Sequence, residues 1–359
     1  MNWKLVHTLN RISRYLSPAS FSNELHRALR RGKKDGGLTN INFSFTNLCS
    51  VDCIFCPQDR GGSKKIRSMS KQLLEKILNE CSSAAFKKHH SIQVISVGEN
   101  GDIFLHKECI DFLRMIRKKM PGAKIQCYTN FRMFTTDKID IVLKEKLLDF
   151  IGCNIDGVTP QSYRMVKRAD FDVVTKHLFY FLKKRRELWR DVPIHVSGLT
   201  FHDYIKGIYY GLGAMPLKLK ETPIDINSLV DDFPDIHAFF RSRLDHPKDK
   251  IMRSSPIGWA ERNQVDIRGL DYSKYFCPQV DRFQKEAFIS PDGTWYACCW
   301  DGKNELVLGN VTAQSLNDIY FGQRRKDLIL ALKQKKFSEV GGPCLSVNCC
   351  QKLSIEKKG

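Results

Sequence analysis

The sequence predicts an α/β protein whose larger part is an open or partial (β/α) barrel, followed by a small cysteine-rich hairpin and helix domain. Three observations carry this. Between Leu38 and about Ser255, short β-like runs alternate with amphipathic helical stretches, and alternation at this spacing means parallel strands joined by crossover helices. No run of about twenty apolar residues occurs, so no membrane span is expected, and the length of 359 residues suffices to bury a full core and one further small domain. The cysteines crowd one early loop and the final third of the chain. The expected division is therefore 1–37, 38–255 and 256–359.

Residues 1–37 read as a basic extension. Leu5, Leu9, Ile12 and Leu16 share one helical stripe, with Lys4, Arg11 and Arg14 off it. Such a helix could make peripheral contact with an anionic membrane or pack on the protein's own core. Gly32, Gly36 and Gly37 break it. Asn40–Phe45 then reads as a first strand, and Ser70–Ser82 as a helix with Leu73, Leu74, Ile77 and Leu78 on one side. The pattern continues as strand Ile92–Val97, helix Lys107–Lys119, strand Lys124–Tyr128, helix Asp137–Asp149, strand Phe150–Ile155, helix Asp170–Leu188 and strand Ile194–Phe201. Residues 205–250 show no pattern beyond a helix near Pro234–Arg243. In a partial barrel, ligand groups sit at the C-terminal strand ends.

The net charge of +19 suits an anionic substrate or partner. No aromatic-basic interleaving accompanies it, which argues against a specific nucleic-acid site. Thirteen cysteines without a secretory signal predict a reducing cytoplasm and metal ligation rather than disulfides.

Cys49, Cys53 and Cys56 form a Cys-x3-Cys-x2-Cys run with Phe55 before the third cysteine. Three thiolates can wrap one 4Fe–4S cluster and leave one iron open for a bound molecule. Zinc usually wants four ligands in two separated pairs, and no fourth cysteine or histidine lies nearby. The motif resembles that of the radical S-adenosylmethionine (SAM) enzymes. The resemblance implies a SAM-binding 4Fe–4S cluster fed by a one-electron reductant such as flavodoxin or ferredoxin. The implied chemistry is cleavage of SAM to methionine and a 5′-deoxyadenosyl radical, which takes hydrogen from an unactivated carbon. The rival reading is a non-catalytic, polyanion- or membrane-binding protein with salt-sensitive binding.

The same resemblance implies residues that hold SAM. Two registers compete for the family's Gly-Glu motif: Gly98-Glu99, and Gly101-Asp102, which fits the following apolar pair and His106 better. Thr129-Asn130 resembles the family's Thr-Asn-Gly, with Phe131 in place of glycine. Asn154-Ile155-Asp156-Gly157 resembles its Ser-Ile-Asp-Gly. Strand alternation puts Asn154 and Asp156 inward and Cys153 toward the helices. Ser197 is a further cofactor candidate. Lys167 and Arg168 could meet the SAM carboxylate, but the expectation for both is a solvated helix face.

In the final third, Cys277 precedes two β-like runs joined by Ser290-Pro291-Asp292-Gly293, a hairpin with Gly293 supplying the positive φ. Cys298, Cys299, Cys344, Cys349 and Cys350 follow. This arrangement resembles the SPASM and twitch extensions, as do Leu308-Gly309-Asn310-Val311 and Ser315–Tyr320. The implied ligands of one auxiliary 4Fe–4S cluster are Cys277, Cys298, Cys344 and either Cys349 or Cys350; a four-cysteine zinc site is the alternative. The full SPASM pattern needs seven cysteines, so one auxiliary cluster is expected rather than two. Such a cluster could accept the substrate's electron in an oxidation. Alternatively, Cys299 or Cys350 could return hydrogen as a thiol and invert a stereocentre. The expected substrate is a small polar molecule such as a sugar or cyclitol, with a ribosomal peptide as the alternative.

Overall fold

The structure, a computed structural model, describes residues 36–53, 56, 67–198, 236–253, 277, 279–299, 301 and 305–345. Residues Leu38–Gly359 form one compact unit and Met1–Gly37 another. The expected N-terminal helix lies outside the described residues. Among those described, no helix is long and apolar enough to cross a membrane.

The strands are β1 (Asn40–Phe43), β2 (Val94–Val97), β3 (Lys124–Thr129), β4 (Phe150–Asn154), β5 (Ile194–Gly198), β6 (Lys250–Arg253), β7 (Glu286–Ile289), β8 (Thr294–Tyr296) and β9 (Val307–Asn310). They make one sheet in the order β6-β5-β4-β3-β2-β1-β7-β8-β9. The first six are parallel neighbours in chain order, β7 adds parallel to β1, and β8 and β9 continue antiparallel. The order is linear and does not close, which is the partial barrel expected. The hairpin also forms as expected, with Gly293 at φ +82.

The helices are α1 (Lys71–Ser82), α2 (Ala84–Lys87), α3 (Cys109–Lys119), α4 (Thr136–Lys144), α5 (Pro160–Lys167), α6 (Phe171–Glu187), α7 (Ile236–Arg241), α8 (Val280–Phe283), α9 (Leu316–Phe321), α10 (Gln323–Lys333) and α11 (Phe337–Val340). Ser70 caps α1 by accepting from the Leu73 N–H. Leu73, Leu74, Ile77 and Leu78 are buried as their spacing predicts, each worth about 1.5–3 kcal/mol of burial.

Three expectations need correction. The helix expected over Asp137–Asp149 stops at Lys144, because Lys146 turns left-handed (φ +54) and Asp149 is used elsewhere. Its Oδ2 accepts from the Ile125 N–H at 2.8 Å and from Arg117 at 2.7 Å. The short helix α5 had no expected bounds, although Lys167 and Arg168 were expected on a helix face. Thr159 caps it in a reciprocal box with Ser162, and Pro160 opens it. Finally, β6 extends the sheet just at the end of the unpatterned stretch 205–250, where no strand was expected.

The pleat sorts the strand residues. Ile41, Phe43, Ile95, Val97, Ile125, Cys127, Ile151, Cys153, Ile194 and Val196 are all buried in the apolar core on one face. The register lines Asn42, Ser96 and Gln126 along the other face, with Tyr128, Asn154, His195, Ser197 and Glu286. This second face is polar although much of it is shielded: Asn42, Ser96, Ser197 and Glu286 are buried.

Candidate metal centre

The cysteine loop leaves the C-terminal end of β1 and is closed at its base. Met69 donates to the Phe45 carbonyl at 2.8 Å, Asn47 donates to that of Arg67 at 3.2 Å, and Thr46 bridges Ser68. Phe45 anchors the base in the core, its ring edge-on to Phe112 at 5.1 Å. Within the loop Cys53 is buried, and Cys49 and Cys56 are half-buried. The Cys56 N–H donates to the Cys53 carbonyl at 3.1 Å. The charges of Cys56 and Cys49 both act on Cys53. Burial pushes the Cys53 thiol up to about 11, outweighing the nearby Lys167 ammonium. Left to itself this thiol stays protonated, whereas a metal deprotonates its thiol ligands outright. Three thiols carried on one short loop, one of them in a dry setting, are the donor set an iron–sulfur cluster takes.

The two competing Gly-acid registers separate in space. Gly101 (φ +102) lies against the cysteine loop, where a Cβ would strike the Thr46 and Leu48 carbonyl oxygens. Asp102 donates its N–H to the Leu48 carbonyl at 2.7 Å. Its buried carboxyl accepts from the Phe104 N–H at 3.0 Å and from Thr129 Oγ1 at 3.1 Å, and burial raises its pKa. Asp102 thus braces the loop and the end of β3. Glu99 instead belongs to the polar face, in the field of Arg282 and Glu286; burial there pushes its carboxyl up to about 7.

Asn130, at the end of β3, reaches the loop directly. Its Nδ2 donates to Cys49 Sγ at 3.5 Å and its Oδ1 accepts from Ser50 Oγ at 3.3 Å. Phe131 adopts φ +64, the conformation that suits the glycine it replaces, while its ring packs against Phe134 and Phe181. Asn154 is exposed on the polar face and accepts a hydrogen bond from Ser197.

Asp156 is not governed by the alternation argument, because it lies past the end of the strand. The strand ends at Asn154, and Asp156 turns left-handed (φ +54) into the interior. There its Oδ2 meets Lys167 Nζ at 2.6 Å, with both side chains buried. Lys167 is therefore not on a solvated helix face. Arg168 is partly exposed and pairs with Asp52 at 3.4 Å.

At the C-terminal cysteines, Cys277, Cys298 and Cys344 are buried and Cys299 is half-buried. Cys277 leads into α8, accepting from the Val280 N–H at 3.3 Å. Ala297 donates to the Leu306 carbonyl at 3.0 Å, and Gly342, in the turn that carries Cys344, faces Glu305 and Leu306. Asp301 fixes this segment by accepting from the Glu305 and Leu306 N–H groups at 2.8 and 2.6 Å. Cys349 and Cys350 lie outside the described residues. Among the described residues, no three His, Cys, Asp or Glu side chains converge as ligands of a single ion.

Sequence reasoning did not find Arg282. Its guanidinium takes Glu286 bidentately at 2.7 and 2.9 Å and donates to Cys299 Sγ at 3.5 Å. A hydrogen bond from Cys298 and the Arg282 charge hold the Cys299 thiol below its ordinary range. The i,i+4 spacing of Arg282 and Glu286 was the available signal.

Comparison with known proteins agrees with this geometry. The family model of the radical SAM superfamily matches residues 43–203, and that of SPASM, an iron–sulfur cluster-binding domain, matches residues 277–350. The UPF0026 protein of Helicobacter pylori is 23% identical over 121 residues, 33% of this chain and 38% of that protein. A probable GTP 3′,8-cyclase of Methanothermobacter marburgensis is 24% identical over 134 residues, 37% of this chain and 40% of that protein. The chain thus spans well under half the length of these curated relatives. Streptococcus suis SuiB bound to S-adenosylmethionine shares the fold, with a TM-score of 0.53 at 11% identity, over 96% of this chain and 86% of that one. SuiB bound to its precursor peptide SuiA matches at a TM-score of 0.50 and 12% identity, over 86% of this chain and 70% of that one. The core binds a 4Fe–4S cluster and SAM, and the SPASM domain binds auxiliary iron–sulfur clusters. The chain belongs to the radical SAM superfamily and carries a C-terminal SPASM domain.

Proposed function

We propose that Cys49, Cys53 and Cys56 hold the SAM-binding cluster, and that the enzyme removes a hydrogen atom from a small polar substrate on the polar face of the sheet, giving oxidation or epimerisation. The observation that carries this reading is the polar face running from Ser197 and Asn154 past Ser96 and Asn42 to Glu286 and Arg282, with the cysteine loop at its C-terminal edge. With its cofactors bound, the site supplies one-electron reduction and hydrogen-atom abstraction. The chain's own groups bind and orient. Asn130 steadies Cys49, Asp102 braces the loop, and Asn154 and Ser197 offer hydrogen bonds toward the cofactor or substrate. Glu99, titrating near 7, is suited to take a hydroxyl proton as an alcohol is oxidised. Cys277, Cys298, Cys344 and one of Cys349 and Cys350 would hold an auxiliary cluster, leaving Cys299 beside Arg282 as the hydrogen donor if the outcome is inversion. The setting is the reducing cytoplasm, with a flavodoxin- or ferredoxin-like electron donor. The boundary between the two parts is drawn at residues 255 and 256.

The test is anaerobic reconstitution with iron and sulfide, followed by reduction with SAM. The expected result is about eight irons per chain, counting four for each of two clusters, and formation of 5′-deoxyadenosine that Cys53→Ala abolishes. Bound iron without deoxyadenosine would overturn the catalytic reading. Because SuiB, which binds a precursor peptide, has the same fold, the second reading is a peptide maturase; a peptide that co-purifies and is modified on turnover would select it.

A further inference from the structure

Lys167 and Asp156 form an ion pair from which water is excluded, their side chains only 5% and 2% exposed. Removing two charges from water is costly, and such a pair is poor evidence for stability alone. Its surroundings are incompletely satisfied too. Asp156 Oδ1 and the Tyr163 hydroxyl are buried without a hydrogen-bond partner.

Both charges of the pair act on Cys53. The Asp52 N–H donates to the Lys167 carbonyl at 3.0 Å, tying the end of α5 to the residue before Cys53. Of the charged groups around the Cys53 sulfur, Lys167 acts most strongly, ahead of Cys56, Cys49 and Asp156. Screening by salt is weak for buried charges.

We propose that Lys167 is a positioning residue that raises the reduction potential of the cluster bound through Cys53. Reduction adds one electron, delivered by the external donor, and makes the cluster more negative; the buried ammonium stabilises that state. Net charge around an iron–sulfur cluster is one of the determinants of its potential. Asp156 holds the ammonium in place and partly offsets it. The inference rests on the reading that Cys53 ligates the SAM-binding cluster.

The test is a redox titration of the reconstituted holoenzyme followed by electron paramagnetic resonance, using the signal that changes when SAM is added. Asp156→Asn leaves the ammonium uncompensated and should raise the potential. The double variant Lys167→Met/Asp156→Asn removes both charges and should lower it, since the ammonium is the stronger influence. Lys167→Met alone strands the Asp156 carboxylate, so the double variant carries the test. The expected change in the reduced-to-oxidised ratio at fixed potential is about tenfold in each direction, or about 59 mV for one electron. Loosening of the site would move both variants the same way. Unchanged potentials, or shifts of one sign, overturn the proposal. Persistence of the SAM-responsive signal in Cys53→Ala would instead overturn the ligand assignment beneath it.

Discussion

At the scale of single residues, the site depends on a few backbone positions that tolerate no ordinary side chain. Gly101 combines φ +102 with the carbonyls of Thr46 and Leu48 at its Cα. Gly101→Ala should cost about 1–2 kcal/mol for the left-handed backbone alone, plus displacement of the cysteine loop. Urea denaturation and the iron content after reconstitution would both fall. His90 makes a different prediction. Its Nδ1 accepts from the Leu38 N–H at 2.9 Å and its Nε2 meets Asn317 Oδ1 at 3.0 Å, so the neutral ring is the one the fold requires. Burial lowers its pKa from 6.5 to about 4. The folded state therefore binds its proton more weakly than the unfolded chain, and stability is lost as pH falls from about 6.5 towards 4. The loss reaches roughly 3 kcal/mol. Nuclear magnetic resonance titration of the histidines should find His90 charging only near pH 4. The three loop cysteines and Asn130 were legible because their chemistry shows in residue type and spacing. The burial of Lys167 was not, since its partner Asp156 comes from a separate turn and a lysine in a short amphipathic helix reads as solvated.

At the scale of elements, long periodic stretches announced themselves and short ones did not. Helix α6 and strand β3 fall within a residue of their expected bounds, because seventeen and six residues give a clear period. Helix α5, with eight residues, showed only as a helix face at Lys167 and Arg168, without bounds. Its start signal, Thr159-Pro160 with Ser162, was present all the same. That cap is a point of leverage: Thr159→Ala should cost about 1 kcal/mol. It should also reduce iron uptake, since α5 delivers Lys167 to the cysteine loop. A melt in urea alongside an iron assay would check both. The overextended helix over 137–149 has the opposite cause. Leu147 and Leu148 are buried and continue the apolar spacing after the helix has ended. Hydrophobic period marks a buried stretch but not the residue at which the backbone turns.

At the scale of the whole unit, the sheet makes the cysteine-rich C-terminal region part of the barrel wall. Strand β1 is paired by β2 on one side and by β7 on the other. Lys76 Nζ on α1 meets the Val311 carbonyl at 2.5 Å, and Glu80 accepts from the Leu316 N–H. The barrel helices therefore grip the segment that follows β9. Ile41, fully buried at the centre of β1, should lose about 2–5 kcal/mol when changed to Ala. The unfolding curves of Ile41→Ala should remain single, with circular dichroism and tryptophan fluorescence sharing one midpoint. Two separate transitions would show that the halves melt apart.

The pairing of β1 with β7 also sets a timetable. Asn40 and its partner Glu286 are 246 positions apart. At about 5–20 residues per second of synthesis, roughly 12–50 s pass between their emergence from the ribosome. Throughout that interval β1 is an edge strand with one row of amide groups unpaired, and the loop it carries lacks its β7-side neighbour. The loop that β1 carries accordingly settles late in the life of the nascent chain, and until then the exposed edge is the part of the sheet most open to chaperones.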